Sequence, residues 1–282
     1  MQREQRLKEL RVFAEEIRVA TLKELKAIGF GHVGGSMSVV EALAVLYGQV
    51  MRVDPQNPRW EERDWMVMSK GHAGPAAYAT LALKGYFPEE ELATINLPHT
   101  NLPSHTDRLK TPGIDLTTGS LGQGVSAAVG AALGNRLDGR DNHVFVFVGD
   151  GECDEGQVWE GAQFAAHYGL DHLIFLIDSN KYQLDGAVDD VMRHGDLAAK
   201  FAAFGLAAQS IDGHDLAAIW DAIDRAYTTK GQPSCIVLNT VKGRGCSFAD
   251  GTGAHSSQVA PEVWDEAIAH AEERLAQARA QL

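Results

Sequence analysis

The sequence is short of the features that mark several large classes of protein. It has only three cysteines in 282 residues, Cys153, Cys235 and Cys246, odd in number, widely spaced and without a CxxC pair. They can build neither a disulfide framework nor a zinc knuckle, and they favour a reduced, cytoplasmic setting. No apolar run reaches 18 residues, so no membrane span is predicted. The first twenty residues, MQREQRLKELRVFAEEIRVA, are charged throughout and lack the apolar stretch of a signal peptide. Positive charge is scarce: 25 Lys and Arg stand against 38 Asp and Glu, a formal net charge of -13. That argues against a general binder of nucleic-acid backbone. It leaves room for a local anion site made of backbone N–H groups and a metal. Proline is modest at 9, and 45% of the residues are hydrophobic, so disordered and collagen-like chains are excluded.

What is present is a pattern of alternating elements. Leu7, Leu10, Phe13, Ile17, Leu22, Leu25 and Ile28 have helical spacing. The run Gly29 to Gly35 is too rich in glycine to continue that helix. A second helix is expected over 39–51, capped by Ser36 or Ser38, then a turn at 54–58, a buried strand at 64–69 and a helix at 73–83. Residues 96–118 have no sustained period, and a loop of that length inside a domain is usually functional. Residues 120–137 read as a small-residue helix suited to close packing. The second half alternates: strands at 143–148, 172–177, 206–211 and 234–241, and helices at 155–167, 196–204, 215–227 and 261–280. Strands apolar on both faces between helices predict a doubly wound, mostly parallel α/β sheet with helices on both faces. At about 150 residues per domain the length allows one or two. The lack of a linker or internal repeat favours a single domain over 1–282, with the helical segment 1–60 packed on it.

The chemistry concentrates at two strand ends. One strand runs into Val148-Gly149-Asp150-Gly151 and the next into Ile177-Asp178-Ser179-Asn180. With a helix between them the two strands should be parallel, with both carboxyl ends on the edge where ligands bind in open α/β sheets. An Asp carboxylate, an Asn amide oxygen and a nearby carbonyl suit an octahedral Mg²⁺ that also takes phosphate oxygens. The flanking glycines let backbone approach a diphosphate. This strand-end pair is not the GxGxxG dinucleotide fingerprint, and neither a GxxxxGK[ST] loop nor an HExxH zinc motif occurs.

Gly149-Asp150-Gly151, followed after 28 residues by Asn180, resembles the thiamine-diphosphate-binding motif. The flanking segments Gly31-His32-Val-Gly34, Ser69-Lys-Gly71-His72-Ala73, Thr117-Thr-Gly119-Ser-Leu121-Gly122-Gln123-Gly124 and Asn180-Lys-Tyr-Gln-Leu-Asp185-Gly186 resemble those of transketolase, in order, over residues 10 to 260. The resemblance implies a diphosphate-domain fold and two cofactors, thiamine diphosphate and Mg²⁺. It implies a metal held by Asp150, Asn180 and the main-chain carbonyl of Tyr182. His72 and the Gly151 amide would meet the diphosphate. Leu121 and Leu184 would flank the thiazolium, and Gly119 would meet the aminopyrimidine. Glu155, a cofactor-site candidate, matches an acidic position that in the family lies at a subunit interface, near the glutamate of the other subunit. His32, His105 and His255 match catalytic positions around the reactive carbon, where histidines titrating near neutral pH can move substrate hydroxyl protons. His99 has a weaker claim, and His143, His167, His172, His194, His214 and His270 read as structural or exposed.

Val33 stands where the family usually has proline. Ser104 and Thr106 flank His105 in place of Gly and Pro, and Ser256 follows His255 in place of Gly. Lys242 stands where an apolar residue is common, in a segment that reads equally as a solvated loop. A full transketolase chain is more than twice this long. The resemblance therefore implies the N-terminal subunit of a split transketolase, transferring a two-carbon ketol unit from a ketose, or ketose phosphate, to an aldose. A partner subunit carrying the pyrimidine domain would complete an α2β2 assembly. The alternatives are the diphosphate-binding half of another thiamine enzyme, of 2-oxo acid dehydrogenase or decarboxylase type, and a non-catalytic thiamine-diphosphate-binding partner.

Overall fold

A computed structural model describes residues 1–282. The chain opens with α1 (Gln2–Ile28), whose apolar stripe of Leu10, Ile17, Leu22 and Leu25 is buried. Gly29 ends it in the left-handed region, at φ 77°, with its N–H donating back to Leu25 and Lys26 carbonyls. There follow β1 (Phe30–Gly31), α2 (Val33–Met37), α3 (Val40–Val45), β2 (Trp65–Met68) and α4 (Gly74–Leu83). After a long irregular stretch come α5 (Gln123–Leu137), β3 (Val144–Gly149), α6 (Gly156–His167), β4 (Leu173–Ser179), α7 (Val188–Val191) and α8 (Leu197–Ala203). The chain closes with β5 (Ala207–Asp212), α9 (Leu216–Thr228), β6 (Ser234–Asn239), β7 (Ser257–Gln258) and α10 (Pro261–Arg279). Asp196 and Asp215 cap α8 and α9, each accepting backbone N–H groups of the first turn. No helix is long and apolar enough to cross a membrane.

The sheet has five strands in the order β2-β3-β4-β6-β5, and every pairing is parallel. Because side chains alternate along a strand, β3 and β4 feed two separate cores. Phe145, Phe147, Ile174 and Leu176 pack against α1, α3, α4 and α9. Val144, Val146, Val148, Phe175 and Ile177 pack against α5, α6 and α8. A third core lies between α1 and α10, around Trp264, Ala271 and Leu22. The expected doubly wound α/β architecture is the one observed, with helices on both faces.

Several local expectations are corrected. The glycine run is not wholly irregular, because Val33–Met37 forms a short, fully buried helix. Ser36 and Ser38 do not cap the following helix: the Ser36 hydroxyl donates to the His32 carbonyl, and the Ser38 hydroxyl to Asp178. That helix is α-helical only to Val45 and continues as a π turn over Leu46–Val50. Strand β6 stops at Asn239, and Thr240 and Lys242 bend toward the sheet edge. Tertiary packing overrides propensity at these places. The two-residue pair β1–β7 (Phe30↔Gln258, Gly31↔Ser257, antiparallel) is too short to leave a sequence pattern.

Candidate active site

The register Gly149↔Asp178 sets the ends of β3 and β4 side by side, and a cavity of about 280 Å³ opens at that edge. His32, His72, His105, Gly119, Leu121, Asp150, Gly151, Asn180, Tyr182, Leu184 and His255 all line it. Glu155 lies outside, exposed at the N-terminus of α6. His99 is exposed and also outside. His194 pairs with Asp154, His214 pairs with Glu41, and His143 stacks on His172 at the strands' amino ends.

Asp150 is buried, and its hydrogen-bond partners are backbone N–H groups: Oδ1 accepts from Gly151 (2.9 Å) and Oδ2 from Lys181 (2.6 Å). Burial, together with the nearby Asp178 charge, pushes its carboxyl up to about 6. A buried carboxylate without a cationic partner is costly, and a hard divalent cation supplies what Asp150 lacks. Asn180 donates its Nδ2 to Asp178 (2.8 Å), and its Oδ1 accepts only a 3.2 Å bond from the Tyr182 N–H. The donor set of carboxylate, amide oxygen and carbonyl fits Mg²⁺. In this structure the Tyr182 carbonyl accepts from Lys242 Nζ (3.2 Å), which also reaches the Gln183 carbonyl (3.2 Å).

Sequence reasoning left Lys242 open, and missed Lys70, Glu152 and Asp178. Lys242 is buried in the cavity wall, not solvated. Burial, then the charge of Lys70, lowers its ammonium to about 8. Lys70 is fully buried and donates to the Gly35 carbonyl (2.9 Å) and to Asp178. The cavity thus holds two cations in an acidic protein, an arrangement that suits a diphosphate. Glu152 accepts from Ser69, from the Gly122 N–H (2.8 Å) and from the Gly149 N–H (3.0 Å), tying the ends of β2 and β3 to the N-terminus of α5. Its only sequence signal is a carboxylate directly after the glycine turn. That of Asp178 is a charge interrupting the end of an apolar strand.

Four histidine rings meet across the cavity. The centroid of His32 lies 5.7 Å from that of His72, 5.6 Å from His105 and 5.1 Å from His255, and His72 lies 4.8 Å from His255. Burial lowers all four, and the lysines and neighbouring rings add to this for His32, His72 and His255. His255 falls to about 4, and His72 lies well below the usual value. Each ring therefore favours its neutral form more than a free imidazole does, and is a correspondingly weaker proton acceptor in this structure.

Two glycines make the approach possible. A Cβ on Gly34 would lie 1.9 Å from the Ala254 carbonyl oxygen, so a side chain there would push away the segment carrying His255. Gly119 sits at φ 147°, and a Cβ on it would meet the His105 side chain at 3.3 Å. Thr118 holds this loop by donating to the Met68 carbonyl (2.6 Å) and by pairing with Thr106 (2.7 Å) beside His105.

Known proteins resemble the chain throughout. The family model for the transketolase thiamine diphosphate binding domain matches residues 10–277. The 6-deoxy-6-sulfo-D-fructose transketolase subunit SqwG of Clostridium sp. (strain MSTE9) is 52% identical over 260 residues, covering 92% of this chain and 94% of that protein. An apulose-4-phosphate transketolase subunit of Actinobacillus succinogenes is 40% identical over 221 residues, covering 78% of this chain and 80% of that protein. Among solved structures, the transketolase from Leishmania mexicana superposes with a TM-score of 0.83 at 29% identity, covering 98% of this chain and 45% of that one. The transketolase from Campylobacter jejuni does so with a TM-score of 0.84 at 27% identity, covering 98% and 48%. The chain therefore belongs to the transketolase family, as a transketolase subunit built on the N-terminal, thiamine-diphosphate-binding domain.

Proposed function

We propose that residues 1–282 act as one diphosphate-binding domain, the thiamine-diphosphate- and Mg²⁺-binding subunit of a two-polypeptide transketolase in the cytoplasm. Its partner would be a pyrimidine-domain subunit in an α2β2 assembly. Together they would transfer a two-carbon ketol group from a ketose to an aldose. The observation that carries this reading is the match over most of the chain to proteins named as transketolase subunits, combined with a cavity that assembles His32, His72, His105, His255 and every metal-ligand candidate and leaves Glu155 exposed outside it. The 52% identity to the SqwG subunit supports a donor of the same class, a ketose with a terminal anionic group such as 6-deoxy-6-sulfo-D-fructose.

Asp150, Asn180 and the Tyr182 carbonyl would hold Mg²⁺, with Lys242 sharing or releasing that carbonyl. Lys70, Lys242, His72 and the Gly151 amide would neutralise the diphosphate. Thiamine diphosphate, when bound, supplies the electron sink for breaking the bond between the ketose carbonyl carbon and its neighbour. The histidines do what this chain can do alone. As neutral bases, His32, His105 and His255 would take the proton from the donor's C3 hydroxyl and return one to the acceptor's new hydroxyl. Leu121 and Leu184 would give the cavity its apolar contact, and Gly119 its backbone contact.

The test combines the purified chain, a candidate pyrimidine-domain subunit, thiamine diphosphate and Mg²⁺ with 6-deoxy-6-sulfo-D-fructose and an aldose phosphate acceptor. Ketol transfer by the mixture and little by either chain alone supports the proposal. An inert mixture on sulfonated, phosphorylated and neutral ketoses defeats it.

A further inference from the structure

Asp178 does not line the cavity, yet it is among the most heavily bonded side chains in the protein. It is fully buried. Its Oδ2 accepts from Ser38 Oγ (2.6 Å), Asn180 Nδ2 (2.8 Å) and Lys70 Nζ, and its Oδ1 from Thr240 Oγ1. Four segments therefore converge on one carboxylate: the turn after α2, the end of β2, the end of β4 and the end of β6. All four groups act as donors to it.

We propose that Asp178 is a positioning residue that fixes which face of the Asn180 amide points at the metal site. This rests on the reading of Asn180 as a Mg²⁺ ligand. An amide is a ligand in one orientation and a repulsive donor in the other. By claiming Nδ2, the Asp178 carboxylate leaves Oδ1 as the face presented away from it. The same Oδ2 anchors Lys70 in the cavity wall, so one side chain sets both the oxygen offered to a cation and the ammonium offered to a phosphate. A buried acceptor of four donors is also intolerant of replacement by a group with fewer acceptor sites.

The proposal predicts the behaviour of an exchange. In Asp178→Asn, one acceptor oxygen must serve Lys70, Ser38 and Thr240, and the new N–H groups invite the Asn180 oxygen inward. The Asn180 amide then turns its N–H₂ toward the metal. Adding Asn180→Asp restores an oxygen on both faces at unchanged net charge, so orientation no longer matters.

The experiment measures Mn²⁺ binding by electron paramagnetic resonance on the full chain with thiamine diphosphate, alongside thermal unfolding. Wild-type protein that fails to bind Mn²⁺ defeats the metal-site reading itself. Given wild-type binding, the expected result is at least a tenfold loss in Asp178→Asn and recovery to within threefold in the double variant. Unchanged affinity in Asp178→Asn overturns the proposal. So does a double variant that folds but stays as weak as the single one, because Asp178 is then only structural. If Asp178→Asn does not fold, the double variant decides alone: folding with near wild-type affinity supports the proposal, and weak binding or failure to fold overturns it.

Discussion

The imidazole of His32 meets that of His255 edge to face, with ring centroids 5.1 Å apart. Nothing local produces this contact. It follows from the antiparallel pairing Gly31↔Ser257, which ties the segment after α1 to the segment before α10. Burial, with the charge of Lys242 nearby, favours the neutral form of both rings. His32→Ala, His105→Ala and His255→Ala should each lower kcat/KM by about 10²–10⁴-fold, the range of general acid–base catalysis. Thiamine diphosphate affinity, measured by calorimetry, should stay within about threefold of wild type. Unchanged turnover in all three variants would remove the histidines from the chemistry.

Gly34→Ala should separate the two rings without touching either. The added methyl has no room against the Ala254 carbonyl, and backbone rather than a flexible side chain must yield. The expected outcome is a loss of kcat/KM of at least roughly 10-fold, as misplaced catalytic groups produce, with Mg²⁺-dependent cofactor binding largely kept. Full activity would show that the histidine pair tolerates displacement.

Asp150→Ala removes a buried cavity carboxylate whose hydrogen-bond partners are backbone N–H groups alone. Thiamine diphosphate binding with Mg²⁺ should weaken by roughly 100-fold or more, as loss of a charged metal ligand implies. Exhaustive EDTA treatment of the wild type should mimic the variant, and added Mg²⁺ should rescue only the wild type. Calorimetric titration reads both effects.

Glu24 on α1 is fully buried, and neither carboxyl oxygen has a hydrogen-bond partner. Burial pushes its carboxyl well above the usual 4.5. The folded state therefore holds a proton that the unfolded state releases. This group's contribution to stability is fully present below pH 4.5 and is lost as pH rises toward the folded value. Glu24→Met should stabilise the protein by about 1–3 kcal/mol at pH 7, since an unpaired buried polar group is removed. The gain in Tm should shrink as the pH falls toward 4.5. A variant less stable than wild type at pH 7, measured by calorimetry, would contradict this account.

Much of the fold was legible because its signals are local. Continuous apolar runs marked β3 and β4 as buried on both faces, and 3.6-residue spacing marked α1. The meeting of Asp150 and Asn180 at one sheet edge was legible for the same reason, since each is written directly after a strand. The helix over Val33–Met37 was not legible. Two glycines argue against a helix, and only tertiary packing makes them necessary: Gly34 lies against the Ala254 carbonyl and Gly35 against the His72 ring.

The sequence by itself determined which residue types are available at each strand end: a carboxylate, an amide, glycines for close approach, and histidines in loops. Tertiary structure alone decided how they act. It buried Lys242, which the sequence could equally have left in solvent, and it drove His255 down to about 4 by desolvation and neighbouring charge. It also turned Asp178, an isolated charge at the end of an apolar strand, into the acceptor of four donors from four segments. Local pattern reports what a residue can do. Desolvation and hydrogen-bond partners come from distant parts of the chain, and they fix which protonation state and which orientation it adopts.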